Sequence, residues 1–299
     1  MHRLELTILK TVVNNSKRKL LEHYVDCELV EYTVPGSCVK SAFSSSNKSI
    51  FRFPPSPSHK IAGYSSIIAL RKHLNLYDNM RPVKSANSPG LPNQKLLDML
   101  IISENTEYLM TFDMTLTREK LRSETPVTNR FWKHNPRVTI IHKSNTARGV
   151  KEKNAEVNKG VDMEEQLVVP NVYRMFRESE AFDVVVALNL YGDIISDGAD
   201  ALVDSLGIAP SANIGDKFLM GELVHGSTPD IACKGISNPI ASIRSAGILL
   251  EHMAYTSQAL KIYNTVDAVM ADASILTPDL GGKSSSSEVT KAVLKNLRA

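Results

Sequence analysis

The chain has 299 residues, of which 42% are hydrophobic and 22% charged, so it is long enough to bury one large core or two smaller ones. Its formal net charge of +3 and the lack of a Lys/Arg run with interleaved aromatic residues argue against nucleic acid as a partner. The apolar segments are too short to span a membrane. Three irregularly spaced cysteines, Cys27, Cys38 and Cys233, fit a reducing compartment and neither a disulfide framework nor a zinc site.

The first sixty residues give a mixed pattern. Residues 4–21 are predicted to form a helix, residues 27–34 a strand, and residues 41–58 a Ser/Pro-rich loop. The N-terminus carries Arg3, Lys10 and the basic run 17–19, but it also carries Glu5 and no small-residue cleavage site. It is therefore a weak transit-peptide candidate, and we expect a mitochondrial or a cytoplasmic location.

From residue 65 onward, predicted helices and strands alternate. Residues 65–75 show helical spacing, and residues 97–103 and 138–141 are short apolar runs that predict strands. Residues 182–188 form an unbroken, Val-rich run, which is typical of a strand buried on both faces of a parallel sheet. Residues 238–252 and 256–270 predict two amphipathic helices. Alternation of this kind predicts the α/β fold class.

The sequence NLYGDIISD at 189–197 follows the Val-rich strand directly. We expect Tyr191 and Gly192 to turn the chain and a helix to run over residues 193–206, with Gly207 as its stop. Asp193 and Asp197 then lie four residues apart on one helix face, which Asp200 and Asp204 extend.

Two interpretations of this acidic face remain open. Carboxylates at this spacing repel each other by a few tenths of a kcal/mol, about 0.2–0.5, and a hard divalent cation with oxygen ligands removes that repulsion. The carboxyl end of a parallel strand is also where open α/β sheets bind ligands. Alternatively, Asp193 caps the helix and the other three carboxylates are solvated. The spacing alone does not decide between a metal site and this ordinary helix start.

Several longer segments resemble one enzyme family. Residues 189–216, 222–253 and 275–289 are similar to the β-decarboxylating dehydrogenases of 2-hydroxy acids, which include isocitrate, isopropylmalate and homoisocitrate dehydrogenases. Upstream, residues 63–85, ENTE at 104–107 and HKSN at 142–145 fall in the family's order. NVYRMFRE at 171–178 and GYSS at 63–66 resemble fungal homoisocitrate dehydrogenase most. The similarity is nearly continuous over 171–288, patchy over 63–145 and almost absent before residue 63.

The resemblance implies an isocitrate/isopropylmalate dehydrogenase-like fold with two α/β domains. A large, NAD-side domain would comprise residues 1–76 plus 205–299, and a small domain of residues 77–204 would carry the metal, the substrate and the dimer contacts. The implied activity is oxidative decarboxylation of a 2-hydroxy-polycarboxylic acid with NAD and Mg²⁺ or Mn²⁺. Homoisocitrate, in lysine biosynthesis through 2-aminoadipate, is the first expectation, with isocitrate and 3-isopropylmalate as alternatives. A homodimer or a hetero-oligomer within the family is implied as well.

The resemblance also assigns site residues. Asp193 and Asp197 match the metal ligands, and Arg71 and Arg81 match the rigid forks that hold substrate carboxylates. Lys143 in HKSN matches the lysine that acts as general base across the dimer. Outside this context, each Arg would be a solvated surface group and Lys143 an ordinary charge at a strand end.

The nucleotide site is assigned on the same basis. The chain has no G-x-G-x-x-G, so a standard Rossmann site is not expected. The family builds its adenosine site from the loop that HGSTPD at 225–230 matches, with Asn238 downstream. Its implied NAD contacts are His225, Gly226, Ser227, Asp230 and Asn238. A carboxylate at Asp230 accepts both ribose hydroxyls and repels a 2′-phosphate, which favours NAD over NADP. Standing alone, this loop would be any polar turn.

Departures from the family pattern concern catalytic groups. Ser103 stands where the family carries a third substrate-binding Arg, and Thr117 stands near the expected catalytic Tyr. Val169 stands where the partner subunit would donate a metal-ligand Asp, and the N-terminal GDGIG segment is missing. Their joint loss should cost far more than the ~10²–10⁴-fold of one acid–base group. Two hypotheses therefore stand: an active NAD-dependent dehydrogenase, or a non-catalytic or regulatory paralogue. An incomplete gene sequence would produce the same gaps as such a paralogue.

Overall fold

A computed structural model describes the backbone of residues 4–9, 27–32 and 48–52, and the residues 71–72, 74–86, 88–89, 97–105, 137–143, 162–203, 206–216, 218–225, 231 and 234–298. The strands are β1 (Leu4–Leu9), β2 (Cys27–Tyr32), β3 (Lys48–Arg52), β4 (Asp78–Lys84), β5 (Asp98–Glu104), β6 (Arg137–His142), β7 (Asp162–Leu167), β8 (Val184–Ala187), β9 (Pro210–Ile214) and β10 (Phe218–Leu223). The helices are α1 (Val168–Arg177), α2 (Asn189–Leu202), α3 (Ile240–His252), α4 (Thr256–Met270) and α5 (Ser286–Arg298).

In this part of the chain ten strands form one sheet, in the order β2-β1-β3-β10-β9-β4-β5-β8-β6-β7. The strands β2, β1, β3 and β10 are parallel to one another, as are β5, β8, β6 and β7. Antiparallel β9 and β4 join the two parallel blocks. The mixed sheet with its helices confirms the α/β class. The strands of the two predicted domains fall on opposite sides of the β9–β4 pairing, yet one continuous sheet does not test the domain division, which stays a prediction.

The strand prediction at 182–188 is confirmed. All four residues of β8 are buried, and β8 lies parallel between β5 and β6. Ser103 of β5, Ala187 of β8 and Ile141 of β6 lie in one row of the register, so the carboxyl ends of three strands meet at one edge. The predicted strands at 97–103 and 138–141 are confirmed as β5 and β6.

Two apolar clusters flank the sheet. One joins α3, α4 and α5 through buried residues such as Leu250, Ile262 and Val293. The other joins β5, β6 and β8 to α1 and α2 through residues such as Ile101 and Ile195. The predicted helices at 238–252 and 256–270 are confirmed as α3 and α4. Among the described residues, no helix is both long and apolar enough to cross a membrane.

Two predictions near the N-terminus are wrong where the structure describes them. Residues 4–9 form β1 and not a helix, because Leu4, Leu6 and Ile8 alternate with Glu5 and Thr7 and the strand pairs with both β2 and β3. The predicted loop at 41–58 contains β3. The remainder of both ranges lies outside the described residues. The predicted strand at 27–34 is confirmed as β2.

The boundaries of the acidic helix also differ from the prediction. Helix α2 begins at Asn189 and ends at Leu202, so Tyr191 and Gly192 lie inside it and do not form a turn. Its first turn contains no acidic residue, which excludes the interpretation that Asp193 caps the helix. Asp193 and Asp197 instead project from the second and third turns.

Candidate active site

The two candidate metal ligands lie one helical turn apart on α2, at the carboxyl edge of the parallel strands. Their side chains remain about half exposed, with relative exposures of 51% for Asp193 and 63% for Asp197. Partial burial, with a smaller contribution from the charge of Asp193, raises the pKa of Asp197, while Arg81 opposes that rise. These carboxylates fit a hard divalent cation in donor type. Among the described residues, no group of three or more His, Cys, Asp or Glu side chains is placed to hold a metal.

Arg81 lies on β4 and pairs with both carboxylates. Its Nη2 donates to Oδ1 of Asp193 at 2.7 Å, and its Nη1 lies 3.8 Å from Oδ1 of Asp197. Nη1 also donates to the hydroxyl of Ser196, which is buried on α2 between the two aspartates. The guanidinium itself is buried, so its charge acts in a medium that screens it less than bulk water does.

Arg71, the second candidate substrate arginine, lies next to Glu222 of β10. Its Nη2 donates to Oε2 of Glu222 at 2.8 Å, and both side chains are largely buried. The Nε of Arg71 is buried without a hydrogen-bond partner. A buried, unpaired donor of this kind costs about 1–3 kcal/mol.

A chain of buried side chains joins the two arginines. Asn79 of β4, Asn213 of β9 and Glu222 of β10 run in series between Arg81 and Arg71. The structure thus places Arg81 against Asp193 and Asp197 and connects Arg71 to it through this chain, while their assignment as a substrate and metal site stays a prediction. The three linking residues were not foreseen: Glu222 is the one polar residue of β10, whereas Asn79 and Asn213 share their strands with other polar residues.

Asp200 is not part of a solvated acidic face. It is 1% exposed, and burial raises the pKa of its carboxyl group to about 8, with Asp197 adding to the rise and Arg81 opposing it. Its Oδ2 has no hydrogen-bond partner. The expectation that Asp200 is solvated is therefore wrong, and Asp204 lies outside the described residues.

Ser103 occupies the position of the family's third arginine and is buried at the end of β5. Its hydroxyl donates to the carbonyl oxygen of Asn189 at 3.4 Å. A Cβ added to Gly192 would lie 2.3 Å from Oγ and 2.5 Å from Cβ of Ser103. Helix α2 therefore packs directly against β5 at this point.

Lys143 is exposed and follows the last residue of β6, at the same edge of the sheet as α2. Val169, where the family's partner-donated Asp would stand, is 78% exposed near the start of α1. Thr117 lies outside the described residues. An exposed lysine and an exposed residue 169 are consistent with roles toward a second subunit.

The predicted NAD contacts are only partly described. His225 is half-buried and follows β10 closely, while Gly226, Ser227 and Asp230 lie outside the described residues. Asn238 is buried: its Oδ1 accepts from the backbone N–H of Ile240 at 3.0 Å, and its Nδ2 donates to Oδ2 of Asp279 at 2.9 Å. Asn238 thus holds the start of α3, and its role toward a nucleotide stays a prediction.

Comparison with known proteins identifies the family. Residues 123–293, more than half of the chain, match the family described as "Isocitrate/isopropylmalate dehydrogenase". The chain belongs to this family. An isocitrate/homoisocitrate dehydrogenase from Thermus thermophilus is 35% identical over 288 residues, covering 89% of this chain and 85% of the relative. The mitochondrial NAD isocitrate dehydrogenase catalytic subunit 5 of Arabidopsis thaliana is 34% identical over 308 residues, covering 92% and 80%.

A solved structure supports the same assignment. The isocitrate dehydrogenase from Methylococcus capsulatus aligns with a TM-score of 0.79 at 25% identity, covering 99% of this chain and all 100% of that one. The isocitrate dehydrogenase-like fold is thereby confirmed. The chain is a member of a family of oxidatively decarboxylating dehydrogenases, as the resemblance in the sequence predicted.

Proposed function

We propose that this isocitrate/isopropylmalate dehydrogenase family member acts on a 2-hydroxy-polycarboxylic acid, with NAD and Mg²⁺ or Mn²⁺, and that homoisocitrate is its substrate. The name of the Thermus relative supports homoisocitrate and isocitrate together, so isocitrate is the first alternative and 3-isopropylmalate the second. The name of the Arabidopsis relative supports NAD and a mitochondrial location. A role in lysine biosynthesis through 2-aminoadipate follows from the homoisocitrate assignment.

The observation that carries this proposal is one buried guanidinium beside a pair of carboxylates, with a second guanidinium linked to it through buried side chains. Arg81 touches Asp193 directly, and Arg71 is tied to Arg81 through three buried side chains. A substrate with several carboxylates needs such cationic forks, since each guanidinium can hold a carboxylate in two parallel hydrogen bonds. A divalent cation on Asp193 and Asp197 would acidify the substrate hydroxyl and stabilise the negative charge left by loss of carbon dioxide.

The chain's own residues then have separate tasks. Arg71 and Arg81 orient the substrate by its carboxylates. Lys143 accepts the hydroxyl proton, and because it is exposed at the sheet edge we assign it to the site of a neighbouring copy of the chain. Asp230 accepts the ribose hydroxyls of NAD.

A second subunit is part of the proposal. Six large apolar side chains are exposed on β7, α1 and α2, and we call them the α1–α2 apolar face: Leu167, Val169, Tyr173, Phe176, Leu190 and Ile194. The two helices pack closely, since a Cβ on Gly198 would lie 3.0 Å from Cζ of Phe176. An exposed apolar surface of this extent marks an interaction site. Because Ile194 adjoins Asp193, a copy seated here would border the candidate active site. A homodimer is therefore proposed.

A second candidate function is a non-catalytic or regulatory paralogue that binds ligands and turns them over slowly or not at all. It is favoured by Ser103, a short neutral side chain packed under Gly192 where the family carries a third arginine. Ser103, Thr117 and Val169 replace groups that act on developing charge, so their loss should appear in kcat more than in binding.

Two measurements test these proposals. Calorimetry should show that the unmodified chain binds Mn²⁺ and that the Asp193→Asn, Asp197→Asn double variant binds it more weakly. Asp267→Asn, which removes an exposed carboxylate elsewhere, should leave the Mn²⁺ affinity unchanged. Equal affinity in all three proteins would refute the metal site. NADH production from homoisocitrate, isocitrate and 3-isopropylmalate with Mg²⁺ decides between the two candidate functions. The paralogue predicts that it is absent or very slow even where ligands bind, and the dehydrogenase predicts that it is fastest with homoisocitrate. A turnover number near the usual enzyme median of about 10 s⁻¹ would show that other residues supply the missing groups and would refute the paralogue.

A further inference from the structure

The buried link between the two candidate substrate arginines begins at the pairing of β4 with β9. Asn79 and Asn213 are direct cross-strand partners, and both side chains are buried. Nδ2 of Asn79 donates to Oδ1 of Asn213 at 2.9 Å. A buried amide without partners costs free energy, so each end of such a pair must find a defined partner.

On one side the pair holds Arg81. Residues 79 and 81 lie two apart on β4 and therefore on the same face of the strand. Nε of Arg81 donates to Oδ1 of Asn79 at 2.8 Å, and the hydroxyl of Ser211 donates to the same oxygen at 3.0 Å. The inner edge of the Arg81 guanidinium is thus fixed, and its outer edge faces Asp193.

On the other side the pair holds Arg71 through Glu222. Nδ2 of Asn213 donates to Oε2 of Glu222 at 2.8 Å, and Nη2 of Arg71 donates to that same oxygen at 2.8 Å. Oδ1 of Asn213 accepts a second bond, from Nδ2 of Asn105 at 2.6 Å. The amide oxygen of Asn213 therefore accepts hydrogen bonds from Asn79 and Asn105, and its amide nitrogen donates to the carboxylate of Glu222.

We propose that Asn213 is a positioning residue that, through Asn79 and Glu222, sets the separation and orientation of the Arg71 and Arg81 guanidiniums. This inference rests on the proposed function, in which both arginines grip carboxylates of one substrate. Two forks on different parts of the fold match a polycarboxylate only if their spacing is fixed before it binds, because ordering them on binding would weaken the affinity. The amide at 213 is suited to this task because it accepts from one neighbour and donates to the other.

The polarity of the link gives a sharp test. Asn213→Asp replaces the donor toward Glu222 by an oxygen, so two carboxylates face each other and Glu222 is driven from Arg71. The double variant Asn213→Asp, Glu222→Gln removes the repulsion between the two carboxylates: the new amide nitrogen at 222 donates to the carboxylate at 213. In the unmodified chain Arg71 donates to the same oxygen as Asn213, so in the double variant it must shift to reach the remaining amide oxygen, and the link is restored only in part. The net charge of this double variant equals that of the unmodified chain.

Binding of homoisocitrate and of isocitrate, each with Mg²⁺, is measured by calorimetry on the full-length chain. We expect Asn213→Asp to weaken binding by about tenfold to a hundredfold and the double variant to recover part of that loss, with NAD affinity unchanged in both. Asn171→Asp is the matched control, since Asn171 is an equally buried, hydrogen-bonded asparagine on α1. Equal losses in Asn213→Asp and Asn171→Asp, or no recovery in the double variant, would overturn the proposal.

A measurement without substrate separates this inference from the proposed function. The side-chain Nε–H signals of Arg71 and Arg81, identified by loss in Arg71→Lys and Arg81→Lys, are recorded by NMR in the unliganded protein. Asn213→Asp should shift or broaden both signals, and Asn171→Asp neither. If the unmodified chain binds neither acid, the proposed function fails, and the positioning role is then decided by these signals alone: a change confined to one arginine, or to none, would refute it.

Discussion

The buried carboxyl group of Asp200 should make the stability of this protein fall as the pH rises toward 8. Asp200 is 1% exposed on α2 and borders a cavity of about 190 Å³ whose walls include Val203, Ile208 and Ile248. Its burial raises the pKa from 3.8 to about 8. The folded protein therefore carries a proton on Asp200 across a pH range in which the unfolded chain has released it.

The sign and the useful window follow from this difference. Between pH 3.8 and about 8 the unfolded state binds fewer protons at residue 200, so the free energy of unfolding falls by about 1.4 kcal/mol per pH unit. Burial lowers the pKa of His252 from 6.5 to about 4, which gives the opposite slope between those values. From pH 6.5 to 8 the effect of Asp200 on stability is therefore not offset by His252. Across this range the free energy of unfolding should fall by at most about 2 kcal/mol.

The assay is urea unfolding of the unmodified chain and of Asp200→Asn at several pH values from 6.5 to 8, with EDTA and at one protein concentration. The carboxamide keeps the shape of the side chain and cannot ionise, while all other titrating groups cancel in the difference. The free energy of unfolding of the variant relative to the unmodified chain should rise by up to about 2 kcal/mol across this range. Asp267→Asn, at an exposed aspartate paired with Arg244, should show no such rise. A pH-independent difference for Asp200→Asn would refute the reasoning.

Three further predictions concern the nucleotide, the apolar face and the contact of α2 with β5. The unmodified chain should bind NAD more tightly than NADP, and Asp230→Lys should shift that preference toward NADP in fluorescence titrations; equal affinities in the unmodified chain would contradict it. Tyr173→Glu, on the α1–α2 apolar face, should lower the molar mass measured by light scattering from that of a dimer to that of a monomer. Leu260→Glu, at an exposed leucine on α4, should leave the molar mass unchanged. A monomeric unmodified chain would contradict the proposed dimer. Gly192→Ala should lower the free energy of unfolding by about 1–3 kcal/mol because its Cβ overlaps Ser103, and Ser103→Gly should recover part of that loss, which thermal unfolding will show.

Local patterns in the sequence predicted the elements whose burial is set by neighbouring residues in the chain. The Val-rich run at 184–187 became a strand buried on both faces, and the spacing at 256–270 gave the bounds of α4. At residues 4–9 the same reasoning was wrong, because the helix predicted over 4–21 gave no weight to the alternation of apolar residues at 4, 6 and 8, and pairing with two distant strands decided the outcome. The start of α2 was missed because the helix begins at Asn189, without an acidic residue or a side-chain cap to mark it.

The candidate site was predicted only where motif residues carried it. Arg81 and Asp193 were foreseen from the family resemblance, but Asn79 and Asn213 were not, because they are 134 residues apart and only the register of β4 with β9 brings them together. Neither strand singles out its asparagine, since β4 and β9 both contain other polar residues. The burial of Asp200 could not be read from its i, i+3 relation to Asp197, since spacing places a residue on a helix face and does not say what packs against that face.

In the ligand-free site, the guanidinium of Arg81 neutralises the carboxylates that would bind a divalent cation. One guanidinium faces both carboxylates, at 2.7 Å from Asp193 and 3.8 Å from Asp197. If those oxygens are given to a divalent cation, as in the proposed function, the buried guanidinium loses its counter-charge, and leaving a buried charge unpaired costs free energy. A substrate carboxylate compensates that loss, because it pairs with the freed edge of Arg81. Metal and polycarboxylate are therefore expected to strengthen each other's binding by the same factor, as linkage requires.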